Sequence, residues 1–324
     1  MRRGLSARPS AAPPGSTGLW EASSASASRA PGLAVVGRAS APENRSLALG
    51  IATAAGSAGQ VFGAPLAEIL LNHFPWQTVF LIFAALILCA LFAVPFLRSP
   101  HVATRAELEE SIGTVVKRAF KDPSFTMIFL GFFSCGYQLA FITAHFPAFV
   151  TERCGPIAAG GVLADLGITT TSALGAIAIS VIGIFNIAGS IFAGAMGKRY
   201  TKKYLLSGIY LARTLAAAIF ISLPMTPASV LIFSAVMGAL WLATVPLTSG
   251  LVAHIYGLRY MGTLYGIVFL SHQIGGFLGV WLGGKMYDLT GDYTLVWWIG
   301  VGVGAFSALV HLPVREKPLL AHAA

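Results

Sequence analysis

Apolar runs long enough to cross a lipid bilayer recur from residue 47 almost to the end of this 324-residue chain. A helix needs about 20 apolar residues to cross a hydrocarbon layer of roughly 30 Å, because each residue advances the helix by about 1.5 Å. Eight runs, separated by short polar breaks, have this length. They cover residues 47–71, 76–97, 124–150, 173–197, 204–223, 228–253, 260–285 and 294–313. The pattern predicts an all-α integral membrane protein with about eight transmembrane helices.

The charge content supports this fold class. Only 10% of the residues are charged and 56% are hydrophobic, whereas soluble domains carry about 25% charged residues. The net charge of +9 does not indicate a nucleic-acid partner, because the basic residues lie between apolar runs rather than on one solvated, aromatic-rich face. Cys89, Cys135 and Cys154 lack the spacing of a metal site or a disulfide framework, so we interpret them as packing residues.

Motifs of enzymatic chemistry are missing from the sequence. It contains no phosphate-binding glycine loop, no His and Cys metal cluster, and no pair of membrane carboxylates at helical spacing. We therefore expect neither an enzyme nor an ATP-driven pump, and no cofactor. Any transport by such a chain would draw on a gradient.

The polar segments divide the chain into five parts. Residues 1–46 contain ten Ala, nine Ser, five Pro and six Arg against two acids, a composition that predicts a disordered leader. It also matches an organellar transit peptide, which is rich in Arg and Ser and poor in acids. Residues 47–97 form a two-helix bundle, 98–123 a cytoplasmic linker with a short surface helix, 124–315 a six-helix bundle, and 316–324 a tail.

The distribution of Lys and Arg predicts the orientation, because cationic connections stay on the cytoplasmic side of a membrane. Alternate connections, counted with both termini on one side, hold 18 Lys and Arg residues. The opposite side has Arg153, with Lys285 near its rim. Both termini are therefore predicted to be cytoplasmic.

A glycine pattern repeats between the first and seventh runs. Gly50, Gly59 and Gly63 recur as Gly266, Gly275 and Gly279, each 216 residues later. The two runs are six spans apart, as parallel bundles of six helices would place them. Glycines four residues apart also let membrane helices approach closely, so we predict helix packing at these six glycines and at Gly283.

Several segments resemble a known family. The stretch from Arg45 through Gly50 to Gly59 resembles the fifth-helix signature of monocarboxylate transporters and their bacterial relatives, within the major facilitator superfamily. The stretch 194–203 resembles the family's basic loop between helices 8 and 9, with Lys198 in place of the usual acid and Thr201 in place of the usual glycine. The segment from Trp241 to Gly284 also resembles bacterial monocarboxylate-type carriers.

The resemblance covers about residues 43–315 and implies that the eight spans are family helices 5 to 12, with helices 1 to 4 lacking. It implies a secondary transporter in a bacterial inner membrane, with alternating access to a mid-membrane site. Together with Arg213, it predicts a small organic anion as substrate, moved by proton symport or anion exchange. The alternatives are a truncated protein that transports nothing and a polyspecific drug exporter. The oligomeric state stays open.

Buried polar residues are the candidates for substrate binding, because a charge at bilayer depth costs several kcal/mol unless it is paired or functional. Arg213 lies nine residues past Tyr204 and could bind a carboxylate through two hydrogen bonds or brace backbone carbonyls. Gln138 and His145 share one helix face. His145 could carry a coupled proton, or it could cap carbonyls at the bend before Pro147.

Four further residues complete the predicted site. Asn186, His272 and Gln273 could line a polar cavity or hydrogen-bond a neighbouring helix. Trp241 could form a wall of that cavity or pack in the bundle. All these residues fall within apolar runs.

Overall fold

The computed structural model describes residues 29–89, 91–92 and 111–318. Within these ranges the chain is helical and has no strand. In chain order the helices are α1 (Arg29–Ala39), α2 (Arg45–His73), α3 (Trp76–Cys89), α4 (Ile112–Lys121), α5 (Pro123–Arg153), α6 (Val162–Asp165), α7 (Thr171–Arg199), α8 (Lys202–Ser222), α9 (Pro227–Leu240), α10 (Thr244–Tyr256), α11 (Met261–Thr290) and α12 (Thr294–Val310).

Local sequence signals set the starts of the long helices. Asp122 precedes α5 and accepts a hydrogen bond from the Ser124 backbone N–H at 3.0 Å, while Pro123 occupies the first turn. Thr170 caps α7 in the same way through the N–H of Ala173. These side chains bind N–H groups that have no partner inside the helix, which makes the helix start energetically favourable.

Over the residues that the structure describes, the eight predicted spans coincide with helices. Five helical segments have the length and hydropathy to cross a membrane, namely α5, α7, α8, the segment Pro227–Tyr256 and α11, and the shorter α3 and α12 are also apolar. The 29-residue α2 contains the first predicted span. This arrangement confirms the all-α membrane fold. The sixth span departs from the prediction, because residues 241–243 divide it into α9 and α10.

The leader was expected to lack helices, and this expectation is wrong for its last part. Residues 29–39 form α1, which packs against α2 and α11. Leu33 and Ala34 are buried in that contact. An isolated stretch of this composition lacks a helical period, but tertiary packing of a few apolar side chains stabilises the helix. Residues 1–28 lie outside the described part of the chain.

Polar contacts gather at two ends of the helix bundle. At one end, Arg153, the last residue of α5, forms a 2.7 Å ion pair with Asp292 in the connection between α11 and α12. At the other, Lys202 at the start of α8 forms a 3.3 Å ion pair with Glu316, and Tyr256 donates a hydrogen bond to Asp122 at 2.7 Å. The charged ends enclose an apolar middle, as two bilayer surfaces require.

Four of the predicted packing glycines lie at close helix contacts. The structure packs α2 along α7 and α5 along α11. A Cβ at Gly50 would lie 2.6 Å from the Ser190 carbonyl oxygen of α7. Gly275 and Gly279 face the α5 backbone at Phe133 and Tyr137, and Gly283 faces the ring of His145. Small residues allow these backbones to approach.

The packing prediction is wrong for Gly59 and Gly266. A Cβ at either position would have no described atom within 4 Å outside its own helix. Gly63 lies in α2, but its surroundings are outside the described part of the chain. In the two pairs whose surroundings are described, Gly50 with Gly266 and Gly59 with Gly275, the two members do not share one packing environment.

Candidate functional site

The interruption between α9 and α10 lies in the interior of the bundle. Helix α9 ends at Leu240, and the Trp241 N–H bonds to the Gly238 carbonyl at 3.0 Å, which tightens the last turn. Helix α10 begins at Thr244, with no side-chain hydrogen bond at its cap position. Trp241, Leu242 and Thr244 are all buried. Backbone groups released by such a break need partners from other helices, because bilayer-depth backbone has no water to bind.

Asn186 supplies one of these partners from the middle of α7. Its side chain is fully buried, and its Oδ1 accepts a hydrogen bond from the Leu242 N–H at 2.9 Å. The same oxygen accepts from the Ser190 hydroxyl at 3.2 Å. Its Nδ2 donates to the Ser57 hydroxyl of α2 at 2.8 Å. One amide thus connects α2, α7 and the interruption.

Arg213 supplies the other partner from α8. Its side chain is 0% exposed, and Nη1 lies 3.5 Å from both the Trp241 carbonyl oxygen and the Cys135 Sγ. Its Nε and Nη2 have no hydrogen-bond partner in the described part of the chain. A guanidinium carries five N–H donors and keeps its charge. The contact with Trp241 matches the bracing alternative, yet most of the guanidinium's donor capacity remains unused.

Cys135 and Thr244 border the same charge, although the sequence pattern singled out neither. The Cys135 Sγ, on α5, lies 3.3 Å from the Thr244 hydroxyl at the start of α10, and both residues are fully buried. Cys135 belongs to the hydrophobic core, in agreement with its interpretation as a packing residue. Its spacing from Arg213 along the chain, 78 positions, gives no signal that the two meet.

Gln138 lies beside a small internal cavity. Its Nε2 donates to the Gly300 carbonyl of α12 at 2.9 Å, while its Oε1 has no partner among the described residues. The cavity has a volume of about 10 Å³, and its walls include Gln138, Ala217 and Met237. That is room for roughly one water molecule. Ala217 lies one helical turn beyond Arg213 on α8, and Arg213 itself is not among the residues that line the cavity.

His145 bonds to a neighbouring helix rather than to the predicted bend. Its Nε2 lies 3.0 Å from the Val280 carbonyl oxygen of α11. Its ring contacts Phe141 and Tyr293, with centroid distances of 5.6 and 5.1 Å. Gln138 and His145 share a helix, but their polar atoms bond to α12 and α11 respectively.

His272 and Gln273 lie together on α11. The His272 Nδ1 is 3.3 Å from the Gln273 Oε1, and its ring stacks on Phe269 with a centroid distance of 4.8 Å. His272 is 9% exposed, and its Nε2 has no partner within the described ranges. Trp241 is also buried, at 3%.

Three of the predicted site residues meet at the interruption, namely Asn186, Trp241 and Arg213. Gln138 and His145 lie along α5 in separate contacts, and His272 and Gln273 pair with each other. Ser57 was missed altogether, since one serine in an Ala-rich and Gly-rich helix carries no distinguishing signal.

A comparison with family models identifies the chain's relatives. Residues 22–170 and 154–323 each match the model described as Major Facilitator Superfamily. The uncharacterized MFS-type transporter YcxA of Bacillus subtilis (strain 168) is 23% identical over 284 residues, which cover 85% of this chain and 65% of YcxA. Monocarboxylate transporter 12 of Homo sapiens is 24% identical over 288 residues, covering 82% of this chain and 55% of that protein.

Solved structures show the same fold. The fucose:proton symporter FucP of E. coli superimposes with a TM-score of 0.61 at 14% identity, covering 87% of this chain and 72% of FucP. The proton:xylose symporter XylE superimposes with a TM-score of 0.58 at 14% identity, covering 89% and 68% of the two chains.

The chain matches only part of each of these relatives. The shared region spans 65% of YcxA and 55% of the human transporter. The family model nevertheless matches most of the sequence, and the fold agrees with it. Its members are membrane transporters rather than enzymes. The chain belongs to the Major Facilitator Superfamily.

Proposed function

We propose that the chain is a secondary active transporter of a small organic anion of the monocarboxylate type. It works by proton symport or anion exchange, with alternating access across a bacterial inner membrane and with both termini in the cytoplasm. The YcxA protein of Bacillus subtilis supports a bacterial setting, and the human relative carries the name monocarboxylate transporter 12.

The unpaired guanidinium of Arg213 carries the substrate assignment. It is fully buried, no ion pair to it occurs in the described part of the chain, and two of its nitrogens have no partner. A buried cation without a counter-charge is costly. A carboxylate offers two oxygens at the spacing of two guanidinium N–H groups and neutralises the charge. An anionic substrate therefore satisfies what the protein leaves unsatisfied.

The groups around Arg213 fit a small substrate rather than a large one. A cavity of about 10 Å³, bounded by Gln138, Ala217 and Met237, lies one helical turn along α8 from the Arg213 position. Only a compact anion could be accommodated there after modest opening of the bundle. His145 and His272, two of the imidazoles within the spans, could take up a coupled proton.

Counterflow in liposomes tests the proposal. The purified full chain is reconstituted, loaded with unlabelled pyruvate, lactate, formate or oxalate, and exposed to the labelled anion. We expect saturable uptake above protein-free liposomes for at least one anion. An inward proton gradient accelerates uptake if the mechanism is symport and leaves it unchanged if it is exchange.

Variants at Arg213 connect uptake to the site. Arg213→Gln should reduce the apparent affinity about 10- to 100-fold, since charge-assisted hydrogen bonds contribute about 1.5–3 kcal/mol. Arg199→Gln, an exposed cation at the end of α7, serves as the matched control and should transport normally. Uptake equal to that of empty liposomes for all four anions would overturn the proposal.

A further inference from the structure

Asn186 and Arg213 hold opposite ends of a single peptide group. The amide oxygen of Asn186 accepts from the Leu242 N–H at 2.9 Å, and the guanidinium of Arg213 faces the Trp241 carbonyl oxygen at 3.5 Å. These two atoms belong to the Trp241–Leu242 peptide bond, which lies in the interruption between α9 and α10. The peptide is rigid and planar, so a displacement at one end moves the other.

The orientation of the Asn186 amide follows from chemistry. The Leu242 N–H is a donor and requires an acceptor, so Oδ1 must face it, which leaves Nδ2 for the Ser57 hydroxyl at 2.8 Å. Ser57 lies 3.2 Å from the Thr53 carbonyl of its own helix, to which its hydroxyl donates. A continuous hydrogen-bonded chain therefore runs from α2 through Asn186 and the peptide to Arg213.

Such a chain is cooperative, because each hydrogen bond polarises the next in a medium of low dielectric constant. The Ser57 oxygen accepts from the Asn186 Nδ2, which polarises the amide and strengthens its Oδ1 as the acceptor for the Leu242 N–H. That bond in turn strengthens the Trp241 carbonyl as an acceptor for Arg213. Among these linked hydrogen bonds, the contact between Arg213 and the Trp241 carbonyl is the longest, at 3.5 Å. It is therefore the one that a competing anion most readily displaces.

We propose that Asn186 is a positioning residue that couples anion binding at Arg213 to the packing of α2 against α7. The inference rests on the proposed function. An anion on the free Nε and Nη2 draws the guanidinium from the Trp241 carbonyl, and the released peptide changes its hold on Asn186 and Ser57. Gly50 of α2 and Gly194 of α7 are in tight contact, since a Cβ added at Gly50 would lie 3.1 Å from the Gly194 Cα. This contact keeps α2 against α7 while the hydrogen bond between Asn186 and Ser57 changes.

Thermodynamic linkage makes the coupling reciprocal, so a change at Ser57 must alter the anion affinity at Arg213. Removing the Ser57 hydroxyl weakens this series of hydrogen bonds, and the contact between the Trp241 carbonyl and the Arg213 guanidinium becomes weaker. The guanidinium then becomes more available to an anion. The coupling thus predicts tighter binding in a variant that contacts no substrate.

Two serines that bond to the same amide give a matched test. Ser57→Ala removes the hydrogen bond that crosses from α7 to α2, whereas Ser190→Ala removes one that stays within α7. Pyruvate is titrated against the full chain in detergent, with the apparent melting temperature as the readout. We expect the pyruvate Kd to fall about threefold or more in Ser57→Ala and to stay within about twofold of wild type in Ser190→Ala.

The outcomes separate the coupling from the proposed function. A wild-type protein that binds none of the monocarboxylates overturns the proposed function and the anion coupling together. Pyruvate binding with the same affinity, or a weaker one, in Ser57→Ala overturns the coupling alone. A double-mutant cycle without ligand provides a second test that does not depend on anion binding. The melting-temperature changes of Ser57→Ala and Arg213→Gln should be non-additive in the double variant. Additive changes would also overturn the coupling.

Discussion

Asn186 of α7 and Arg213 of α8 bind the N–H and the C=O of one peptide group, although 26 residues separate them along the chain. The peptide links Trp241 to Leu242 at the point where a membrane span is interrupted. Both side chains are 0% exposed. The Trp241–Leu242 peptide is thus held by one neutral amide and one cation from other helices.

Replacing Asn186 with Ala should destabilise the protein. The Leu242 N–H would lose its acceptor inside the bundle, and an unsatisfied buried donor costs about 1–3 kcal/mol. We expect the apparent melting temperature in detergent to fall by about 5 °C, measured by fluorescence of the purified chain. Ser180→Ala is the control, because it removes a long 3.5 Å hydroxyl contact on an exposed part of α7. It should leave the melting temperature unchanged. Equal melting temperatures for both variants would contradict the role of the amide.

Gly275→Ala should weaken the packing of α5 against α11. The added Cβ would collide with the Phe133 carbonyl oxygen and lie 3.0 Å from the Tyr137 nitrogen, both of them backbone atoms that cannot rotate away. Overpacking of this kind costs about 1–3 kcal/mol. Gly266→Ala lies on the same helix with no described atom within 4 Å and is the control. The melting temperature in detergent should fall for Gly275→Ala only. A fall of the same size in Gly266→Ala would refute the close contact between α5 and α11 at Gly275.

Cysteine labelling checks which face of the membrane each end of the bundle occupies. Cys154 follows α5 and is partly exposed, whereas Thr201 lies in the exposed connection between α7 and α8. In intact bacterial cells, an impermeant maleimide should label Cys154 in a Cys89→Ser background. It should label a Thr201→Cys, Cys154→Ser protein only after permeabilisation. Labelling of both sites in intact cells would reverse or abolish the orientation predicted from the basic residues.

The ion pair of Arg153 and Asp292 predicts a small acid-dependent loss of stability. Partial burial acts to raise the pKa of Asp292, but hydrogen bonds from Thr294 and Arg153 outweigh it and lower this pKa below 3.8. Because the folded-state pKa is the lower one, the stabilisation is present above pH 3.8 and is lost as the pH falls through the folded value. The two side chains are 52% and 33% exposed, so the contribution is below about 1 kcal/mol.

Melting temperatures of wild type and Arg153→Gln measure this effect. We expect a decrease of about 1–2 °C in the variant at pH 7, and a smaller difference at pH 3.5, where the carboxyl group begins to take up a proton. A difference that grows on acidification would contradict the assigned direction of the Asp292 pKa shift. Lys285→Gln is a suitable control, since this residue has no ion pair within the described ranges.

The sequence alone determined the fold class and the course of the chain through the bilayer. A run such as 173–197 is apolar on all sides, and only a helix satisfies its backbone inside lipid, so α7 (Thr171–Arg199) was predictable to within a few residues. The same reasoning found α5 and α11. It also selected Arg213 and Asn186, because polar groups at bilayer depth are rare and therefore conspicuous.

Only the tertiary structure decided what those polar groups bind. Helical periodicity fixes which residues share a face, but the partner of each face depends on how separate helices pack, and that is a sum of many weak contacts between distant segments. Pro246 marks the interruption in the sequence, because a proline has no N–H to offer the Leu242 carbonyl four residues earlier. The sequence does not show that Asn186 and Arg213 bind the Trp241–Leu242 peptide there. For the same reason Gly50 packs against α7 while its counterpart Gly266 does not, and residues 29–39 are helical against their composition.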